Sequence, residues 1–593
     1  MMQKMFLALL GGAALIPAPV MANSGANSGV VPAIAFIDAT VFDGTGAAPV
    51  RETVLVQNGR IVAVGAKLKL PAGTRKVAAQ GKALLPGFFD VHTHWTPGGL
   101  PDTTPQIATA YVQSGITTVN DFHQQPESYA PRRAWLAQLA APHVNFAARI
   151  STPGGHGADW ADQATTIWIN TPEAARAAIK GLEAYKPDLI KAFTDGWRYG
   201  AAPDNTSMDR WTLKALSEEA HKRGWSVLTH TVTVERGVAA SMAGVDSLGH
   251  VIQDRLATPE EVAQIAKSGM GMAPTLAVYD PDKPGQPKAD EMRQRKFSYA
   301  LKNVKALFDA GVPISVGTDA GMPGTPHGVS TLHELELLVR AGLTPAQALV
   351  AATQTSAKVM RLDGDRGTIA PGKRADILLV DGKPWENIED IHKITQVYID
   401  GRLVSGVGAP PLPAANLANR LPSVKIAALV DDFERKDRRS SLDTLRLETG
   451  DGGMDRTVEI TQTVPRDGGG QALLLSAKMA VKGDAYAGFA VPLTRGSVVP
   501  VNLAGYKGIR FDIRGDGAYV LRLNGLDGVW SAPVSGGAQW TSVEVPFTAL
   551  TAAAQRGKPG PAFTGDGLVQ LELGGSREGG QRLWVEVDNI TFY

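Results

Sequence analysis

The strongest constraint in this sequence is a regular alternation of short apolar runs with amphipathic stretches between residues 87 and 361. The amphipathic stretches place apolar residues at helical spacing, for example Leu213, Leu216 and Ala220. Alternating strands and helices are typical of βα units around a parallel sheet. The predicted strands are residues 88–94, 116–121, 144–150, 189–193, 226–230, 246–250, 271–275 and 313–319. Eight such units predict an α/β fold of the (β/α)₈ TIM-barrel type.

Side chains that commonly bind metals stand at the carboxyl ends of these predicted strands. His92 and His94 share one face of the first strand, because side chains alternate along a strand. His230, His250 and Asp319 each close a later apolar run. Barrel enzymes gather their sites at this end, and imidazole and carboxylate groups suit Zn²⁺ and similar ions. Each position alone could be a ligand or a surface residue, but together they indicate a metal site.

Lys191 stands inside the apolar run 189–193. A parallel barrel strand is buried on both faces, and burial of an ammonium is costly, so the neutral amine is favoured. Two interpretations stay open. The run is a sheet edge from which the amine reaches solvent, or the amine is captured as a carbamate that bridges two metals.

Two β-rich segments flank the barrel, at residues 31–86 and 362–408. In the first, Asn58-Gly59 lies between two apolar runs and predicts a hairpin. The first segment is too small to close a core of its own. We therefore expect the two segments to pair in one composite β-sandwich beside the barrel at 87–361.

Residues 409–427 form a Pro-rich linker, and residues 428–593 form a further region. This region is rich in glycine and β patterns with regular turn signals, which predicts an all-β jelly-roll domain. The C-terminal region contains no histidine. The whole chain has 11 histidines, of which ten lie from His92 to His333 and the last is His392. Candidate chemistry is therefore confined to the barrel, and we expect the barrel to remain catalytic without residues 431–593.

The composition and the first residues indicate which partners the protein has and where it is located. The chain has no cysteine, which excludes thiolate metal sites and disulfides, and its net charge of +1 argues against nucleic acid as a partner.

Residues 1–22 combine Lys4, an apolar run and small residues before Asn23, which predicts a signal peptide, with an uncleaved anchor as the alternative. We expect a periplasmic or secreted protein with no membrane span after cleavage. A homo-oligomer is compatible with the sequence.

Three motifs carry a resemblance to a known family. Residues 85–94 (LPGFFDVHTH) resemble the opening motif of the amidohydrolase superfamily, and residues 317–321 (GTDAG) resemble its last-strand aspartate motif. Residues 367–376 are similar to its return segment into a β-sandwich. Within the superfamily, the chain resembles the imidazolonepropionase-like branch that includes prolidase-like peptidases.

The resemblance implies a role for each matching residue. His92, His94 and Asp319 would hold an inner metal, His230 and His250 an outer one, and carboxylated Lys191 would bridge them together with a hydroxide. Asp319 would be the catalytic residue that moves a proton from the hydroxide to the leaving group. The cofactors would be two divalent ions, with Zn²⁺ preferred and Mn²⁺, Co²⁺ or Fe²⁺ as alternatives.

Four residues on loops after strands are candidate substrate contacts. His156 lies in a Gly-rich loop, His327 and Tyr279 follow later strands, and His123 follows the second strand. The chain departs from the family pattern here, because Asn120 stands where an arginine is expected before Asp121. His123 is therefore either a substrate contact or an ordinary loop residue.

The C-terminal region resembles a second family. Residues 431–433, 506–511, 514–517, 540–547 and 586–590 look like the complex-I-intermediate-associated protein family, whose fold is similar to galactose-binding jelly rolls. The region is then either a packing module or a module that binds a glycan or a partner. Trp530 and Trp540 would be either a binding platform or core residues.

These observations predict a metal-dependent hydrolase that cleaves an amide or peptide C–N bond in a small molecule or short peptide with a free carboxylate. One alternative is that the same site hydrolyses a lactone, an ester or a phosphotriester. The other is a non-catalytic binding protein with an inactive barrel, against which the complete ligand set argues.

Overall fold

The computed structural model describes residues 33–95, 103–157, 165–196, 205–283, 286–412, 420–453, 455–554 and 559–593. The predicted signal peptide lies outside these ranges, as do residues 413–419 of the linker. Within the described ranges, no helix combines the length and the apolar character that crossing a membrane requires.

The N-terminal region is built of strands, as its alternating pattern predicts. They are β1 (Ile34–Val41), β2 (Val50–Gln57), β3 (Arg60–Gly65), β4 (Arg75–Ala78) and β5 (Ala83–Pro86). Asn58 and Gly59 both have positive φ, 50° and 76°, which is the geometry of the tight turn that joins β2 to β3. The predicted hairpin is confirmed.

The central region has a parallel sheet of buried strands. They are β6 (Phe88–Thr93), β7 (Ile116–Asp121), β8 (His143–Ser151), β9 (Thr166–Trp168), β10 (Leu189–Phe193), β11 (Ser226–His230), β12 (Ser247–Leu248) and β13 (Gly271–Met272). Their order is β6-β7-β8-β10-β11-β12-β13, with β9 beside β8. Every residue of β6, β7, β10 and β11 is buried, because helices cover the sheet.

Helices connect these strands and follow the last of them. They are α1 (Thr104–Gln113), α2 (Tyr129–Leu136), α3 (Pro172–Gly181), α4 (Arg210–His221), α5 (Val234–Ser241), α6 (Pro259–Lys267), α7 (Leu276–Tyr279), α8 (Glu291–Asp309), α9 (Val329–Arg340), α10 (Pro345–Val350) and α11 (Ser356–Val359). Leu213 and Leu216 of α4 are buried, as the helical spacing predicts.

The predicted eighth strand, 313–319, contacts both ends of this sheet. Its Pro313 carbonyl accepts a hydrogen bond from the Met272 amide at 2.9 Å, and its Val316 carbonyl accepts one from Val91 at 2.8 Å. The pairing consists of isolated bridges, so the segment is less regular than a strand. The predicted strand at 246–250 is likewise shorter, because only Ser247–Leu248 keep ladder pairing. The result is an α/β fold around a parallel sheet, and β9 is an addition that the sequence pattern does not predict.

After α11 the chain returns to the N-terminal strands. The return strands are β14 (Ile377–Val380), β15 (Ile394–Ile399) and β16 (Arg402–Gly406). β14 pairs with β5 in an antiparallel register, so that strands from both ends of the catalytic region share one eight-stranded sheet. The sheet order is β16-β15-β14-β5-β1-β2-β3, with β4 beside β1.

The C-terminal region is β-rich. Its strands are β17 (Leu429–Asp431), β18 (Leu447–Gly450), β19 (Val458–Pro465), β20 (Gln471–Lys478), β21 (Ala487–Pro492), β22 (Gly508–Gly515), β23 (Gly517–Gly525), β24 (Val529–Gly536), β25 (Thr541–Pro546), β26 (Thr551–Ala552), β27 (Leu568–Gly575) and β28 (Arg582–Phe592). They form two antiparallel sheets with one shared apolar core. Trp530 belongs to this core, whereas Trp540 is half-buried beneath the guanidinium of Arg466.

Candidate metal centre

The six predicted ligands meet at the carboxyl ends of the parallel strands. His92 lies in β6 and His94 directly follows it, Lys191 lies in β10, and His230 ends β11. His250 follows β12, and Asp319 ends the segment that is bonded to β6. They line one small cavity of about 80 Å³. The full lining is His92, His94, His123, Arg149, His156, Lys191, Phe193, His230, His250, Tyr279, Asp319 and Met322.

Asp319 is the centre of the inner ligand group. Its Oδ1 lies 2.9 Å from Nε2 of His94 and 3.1 Å from Nε2 of His92. Burial alone would raise the pKa of Asp319, but the two imidazoles outweigh it and hold this pKa well below its usual range. The residue has a left-handed backbone, with φ of 62°, which is uncommon for a non-glycine residue and often marks a functional site.

His92 is oriented through its second ring nitrogen. Nδ1 donates to the carbonyl of Gly249 at 2.5 Å, which leaves the Nε2 lone pair to face Asp319 and Lys191. Burial, together with the nearby Lys191, lowers the pKa of His92 to about 3. A neutral imidazole with a fixed tautomer is the form that binds a metal.

Lys191 is buried among aromatic rings. Its side chain lies over the rings of Phe122 and Phe193, with Nζ 4.6 Å and 5.6 Å from their centroids. Burial lowers the pKa of Lys191 well below its ordinary value. The structure therefore excludes the interpretation of an amine that reaches solvent, since the residue is only 1% exposed.

The outer imidazoles stand beside the inner group. The rings of His230 and His250 have centroids 4.4 Å apart, and burial lowers the pKa of both. Nδ1 of His250 lies 2.7 Å from Oγ1 of Thr275, a β-branched residue with φ of 51°. Such a conformation is costly for threonine, so it indicates that the surroundings hold Thr275 in place to orient His250.

A buried carboxyl group supports the inner ligands from behind. Asp90 accepts hydrogen bonds from Oγ1 of Thr318 at 2.7 Å and from Oγ1 of Thr331 at 2.8 Å. Burial raises the pKa of Asp90 to about 7. These bonds tie β6, which carries His92, to the segment that carries Asp319.

The donor set fits a divalent metal. Ligand atoms of His92, His250 and Asp319 lie within 4.8 Å of one another, so one small ion could reach all three. Nitrogen and oxygen donors with fixed tautomers suit Zn²⁺ and its neighbours in the first transition row.

Comparison with known proteins identifies the family. A family model described as "Amidohydrolase family" matches residues 83–404, more than half of the chain. The chain belongs to the amidohydrolase family. It is therefore an enzyme, a hydrolase that acts on C–N bonds.

Relatives and solved structures cover the same part of this amidohydrolase. An imidazolonepropionase of Deinococcus deserti is 27% identical over 366 residues, which are 56% of this chain and 86% of the relative. An imidazolonepropionase of Salinispora tropica is 25% identical over 358 residues, 55% of this chain and 85% of the relative. A crystal structure of a proposed prolidase from Bifidobacterium longum is 26% identical with a TM-score of 0.55, and the match covers 65% of this chain and 97% of that one.

The amidohydrolase site brings together three of the four predicted substrate contacts. His156 stacks on His230 with ring centroids 3.9 Å apart, His123 Nδ1 lies 3.2 Å from His94 Nδ1, and the ring of Tyr279 lies 5.7 Å from that of His250. His327 does not line the cavity, and its Nδ1 lies 2.9 Å from the Tyr111 hydroxyl.

Three site residues are absent from the sequence-based prediction. Arg149 of β8 lines the cavity, with Nη1 3.3 Å from Nδ1 of His123. Asp195 Oδ2 lies 3.4 Å from His230 Nε2. Arg149 was detectable, since it is a cation within an apolar strand just as Lys191 is, and Asp195 follows a predicted strand end. The role of Thr275 was not detectable, because no local pattern predicts a left-handed threonine.

Arg149 supplies a cation to the cavity, although the arginine expected at position 120 is absent. Asn120, which stands where an arginine is expected, donates instead to the Val91 carbonyl at 2.9 Å. The cation in this part of the amidohydrolase cavity comes from the next strand.

Proposed function

We propose that this amidohydrolase is a periplasmic or secreted, metal-dependent enzyme that cleaves an amide or peptide C–N bond of a small carboxylate-bearing substrate. The observation that carries the proposal is Asp319, which contacts both His92 and His94 and also faces the cavity. A carboxylate in this place can bind metal and move a proton for the reaction.

Two divalent ions would be held by the six ligands. His92, His94 and Asp319 suit an inner ion, His230 and His250 suit an outer one, and a carboxylated Lys191 suits the bridge. When bound, the ions would lower the pKa of a water and polarise the scissile carbonyl. Burial lowers the pKa of Lys191 and so favours the neutral amine, which supports the carbamate because only the neutral amine captures carbon dioxide.

The chain's own residues supply proton transfer and substrate orientation. Asp319 Oδ1 would accept the proton of the attacking water and donate it to the departing amine nitrogen, which leaves poorly without it. Arg149 brings a guanidinium into the cavity, and this group pairs well with a substrate carboxylate. His156 and His123 would contact the carbonyl or the carboxylate.

The named relatives support the same class of bond. They include the imidazolonepropionases. A crystal structure of a Xaa-Pro dipeptidase with methionine bound in its active site is 22% identical, with a TM-score of 0.55. The match covers 63% of this chain and 100% of that one, and it supports the fold. These relatives support a small-molecule or short-peptide substrate.

The architecture that we propose around this site has five parts. They are a signal peptide at 1–22, a composite β-sandwich at 31–86 and 362–408, a closed (β/α)₈ barrel at 87–361, a linker at 409–427 and a jelly-roll domain at 428–593. The bonds of residues 313–319 to both β13 and β6 support the closed barrel.

The test is a substrate panel on metal-loaded protein. We expect kcat/KM for the best dipeptide or N-acyl amino acid to exceed that for lactones and phosphotriesters with matched side groups. A lactone or phosphotriester that outruns every amide by about 100-fold would favour the alternative bond, since that ratio is close to 3 kcal/mol of transition-state binding. No turnover of any class by protein with full metal would favour a binding protein.

A further inference from the structure

The C-terminal region contacts the barrel beside the candidate metal centre. Glu127 lies in a short 3-10 helix (Pro126–Ser128) on the loop that also carries His123, and its side chain is 2% exposed. Its Oε1 accepts a hydrogen bond from Nη2 of Arg439 at 2.7 Å, and its Oε2 accepts one from the Leu445 amide at 2.9 Å. Both donors belong to the C-terminal region, and we call Glu127, Arg439 and Leu445 the clamp.

Arg439 joins a second segment that leads to the site. The same Nη2 lies 3.2 Å from the hydroxyl of Tyr185, which ends the 3-10 helix before β10 and Lys191. Nη1 of Arg439 donates to the carbonyl of Asp443 at 2.7 Å, which fixes the guanidinium plane. One half-buried guanidinium therefore contacts two barrel segments, one that carries His123 and one that leads to Lys191.

The Asp-Asp-Phe motif of the C-terminal region supports the clamp. Asp431 accepts two hydrogen bonds from Arg446, at 2.6 Å and 2.9 Å, and the Arg446 guanidinium lies over the ring of Phe433. Arg446 in turn donates to the carbonyl of Arg439 at 2.8 Å. The motif thus orders the loop that reaches the barrel.

A glycine allows the two regions to approach closely at the same place. Gly496 has φ of 65°, and a Cβ on it would lie 2.5 Å from Cα of Ser128. A distance this short is not tolerated between carbon atoms, so a side chain would push the regions apart. This contact is independent of the clamp and lies next to Glu127.

The loop transmits this contact to the metal centre. The His123 amide donates to Oδ1 of Asp121 at 2.9 Å, and Gln124 donates to the carbonyl of Trp95 at 2.9 Å. The His123 ring reaches His94, a predicted ligand, and Arg149. Glu127 lies on the same loop, so the clamp holds the chain close to the point where His123 enters the cavity.

We propose that the C-terminal domain is a positioning element of the active site, in which Arg439 holds the His123 loop through Glu127. Arg439 and Glu127 are positioning residues, since neither lines the cavity. The kinetic part of this proposal rests on the proposed function, whereas the ordering of the loop does not.

Hydrogen exchange followed by mass spectrometry tests the ordering on the full-length protein. We expect Arg439→Met and Glu127→Gln to speed amide exchange in peptides spanning residues 122–128 roughly tenfold. Arg439→Met should also speed exchange near Tyr185, because it removes that contact, and other barrel peptides should be unchanged. Arg510→Met is the matched control, because it removes an exposed ion pair with Glu544 in the same domain and lies away from the barrel. Unchanged exchange at 122–128 in both clamp variants would overturn the proposal, whatever the substrate.

A double-mutant cycle then separates positioning from general stability. Arg439→Met should lower kcat/KM about tenfold in the native background and less than about twofold when His123 is already alanine, because the two changes act on one contact. Arg439→Lys, which keeps the charge, should recover part of the loss. An equal loss in both backgrounds would mean a purely structural role and would overturn the positioning claim.

Discussion

Nζ of Lys191 lies 2.9 Å from Nε2 of His92, and both groups are buried. Burial lowers the pKa of both groups and so favours their neutral forms, and both face the same small cavity. The position of the amine explains why a lysine can stand in an apolar parallel strand.

Replacing Lys191 by alanine should reduce turnover by at least about 100-fold, because a bridge between two ions would be lost. Added short carboxylic acids should restore part of the activity, since a free carboxylate can take the place of the carbamate. Intact-mass spectrometry under native conditions should show the added carbon dioxide on the unaltered protein. Full activity of Lys191→Ala without any additive would contradict the bridging role.

Replacing Arg149 by glutamine should lower the turnover of charged substrates more than that of uncharged ones. We expect kcat/KM to fall roughly 10- to 100-fold more for a free-carboxylate substrate than for its methyl ester, the range for one charge-assisted hydrogen bond. His156→Asn should give the same preference in a weaker form. Arg176→Gln on the exposed face of α3 is the control. Equal losses for acid and ester would show that Arg149 does not bind the carboxylate.

The raised pKa of His333 predicts that the free energy of unfolding declines in alkaline solution. The imidazole of His333 donates hydrogen bonds to the carboxylates of Asp280 and Glu336, which raises the pKa of His333 to about 9, above the value of about 6.5 in the unfolded chain. The folded state therefore keeps a proton that the unfolded state loses, so this stabilisation is complete below about pH 6.5 and disappears as the pH rises through 9. Urea unfolding from pH 6 to 10 should show a shallower decline for His333→Gln, and parallel curves for the two proteins would contradict the assignment.

Much of the site could be predicted from the sequence because its ligands follow strand ends. The apolar runs before His230 and Asp319 specify strands, and parallel strands bring their carboxyl ends together without any further information. Lys191 was recognisable because a charge within a buried strand needs a reason.

The rest depends on contacts between distant residues. The left-handed backbone of Thr275 and the hydrogen bond that Thr331 donates to Asp90 arise only when the sheet has closed around them. The contact between Glu127 and Arg439 joins two regions on either side of the linker. The activity of the barrel without residues 431–593 stays a prediction. No local pattern specifies which arginine of the C-terminal region meets that carboxylate.

Metal titration of the stripped protein tests the central claim most directly. Chelator-treated full-length protein should be inactive on its best amide substrate, and activity should return on adding Zn²⁺ or Mn²⁺. Six ligands from five strand ends are more than one four-coordinate ion can use, so the account predicts a plateau near two equivalents per chain. Elemental analysis of the reactivated protein should agree. Full activity at or below one equivalent, or full activity in the stripped protein, would contradict the two-metal amidohydrolase site.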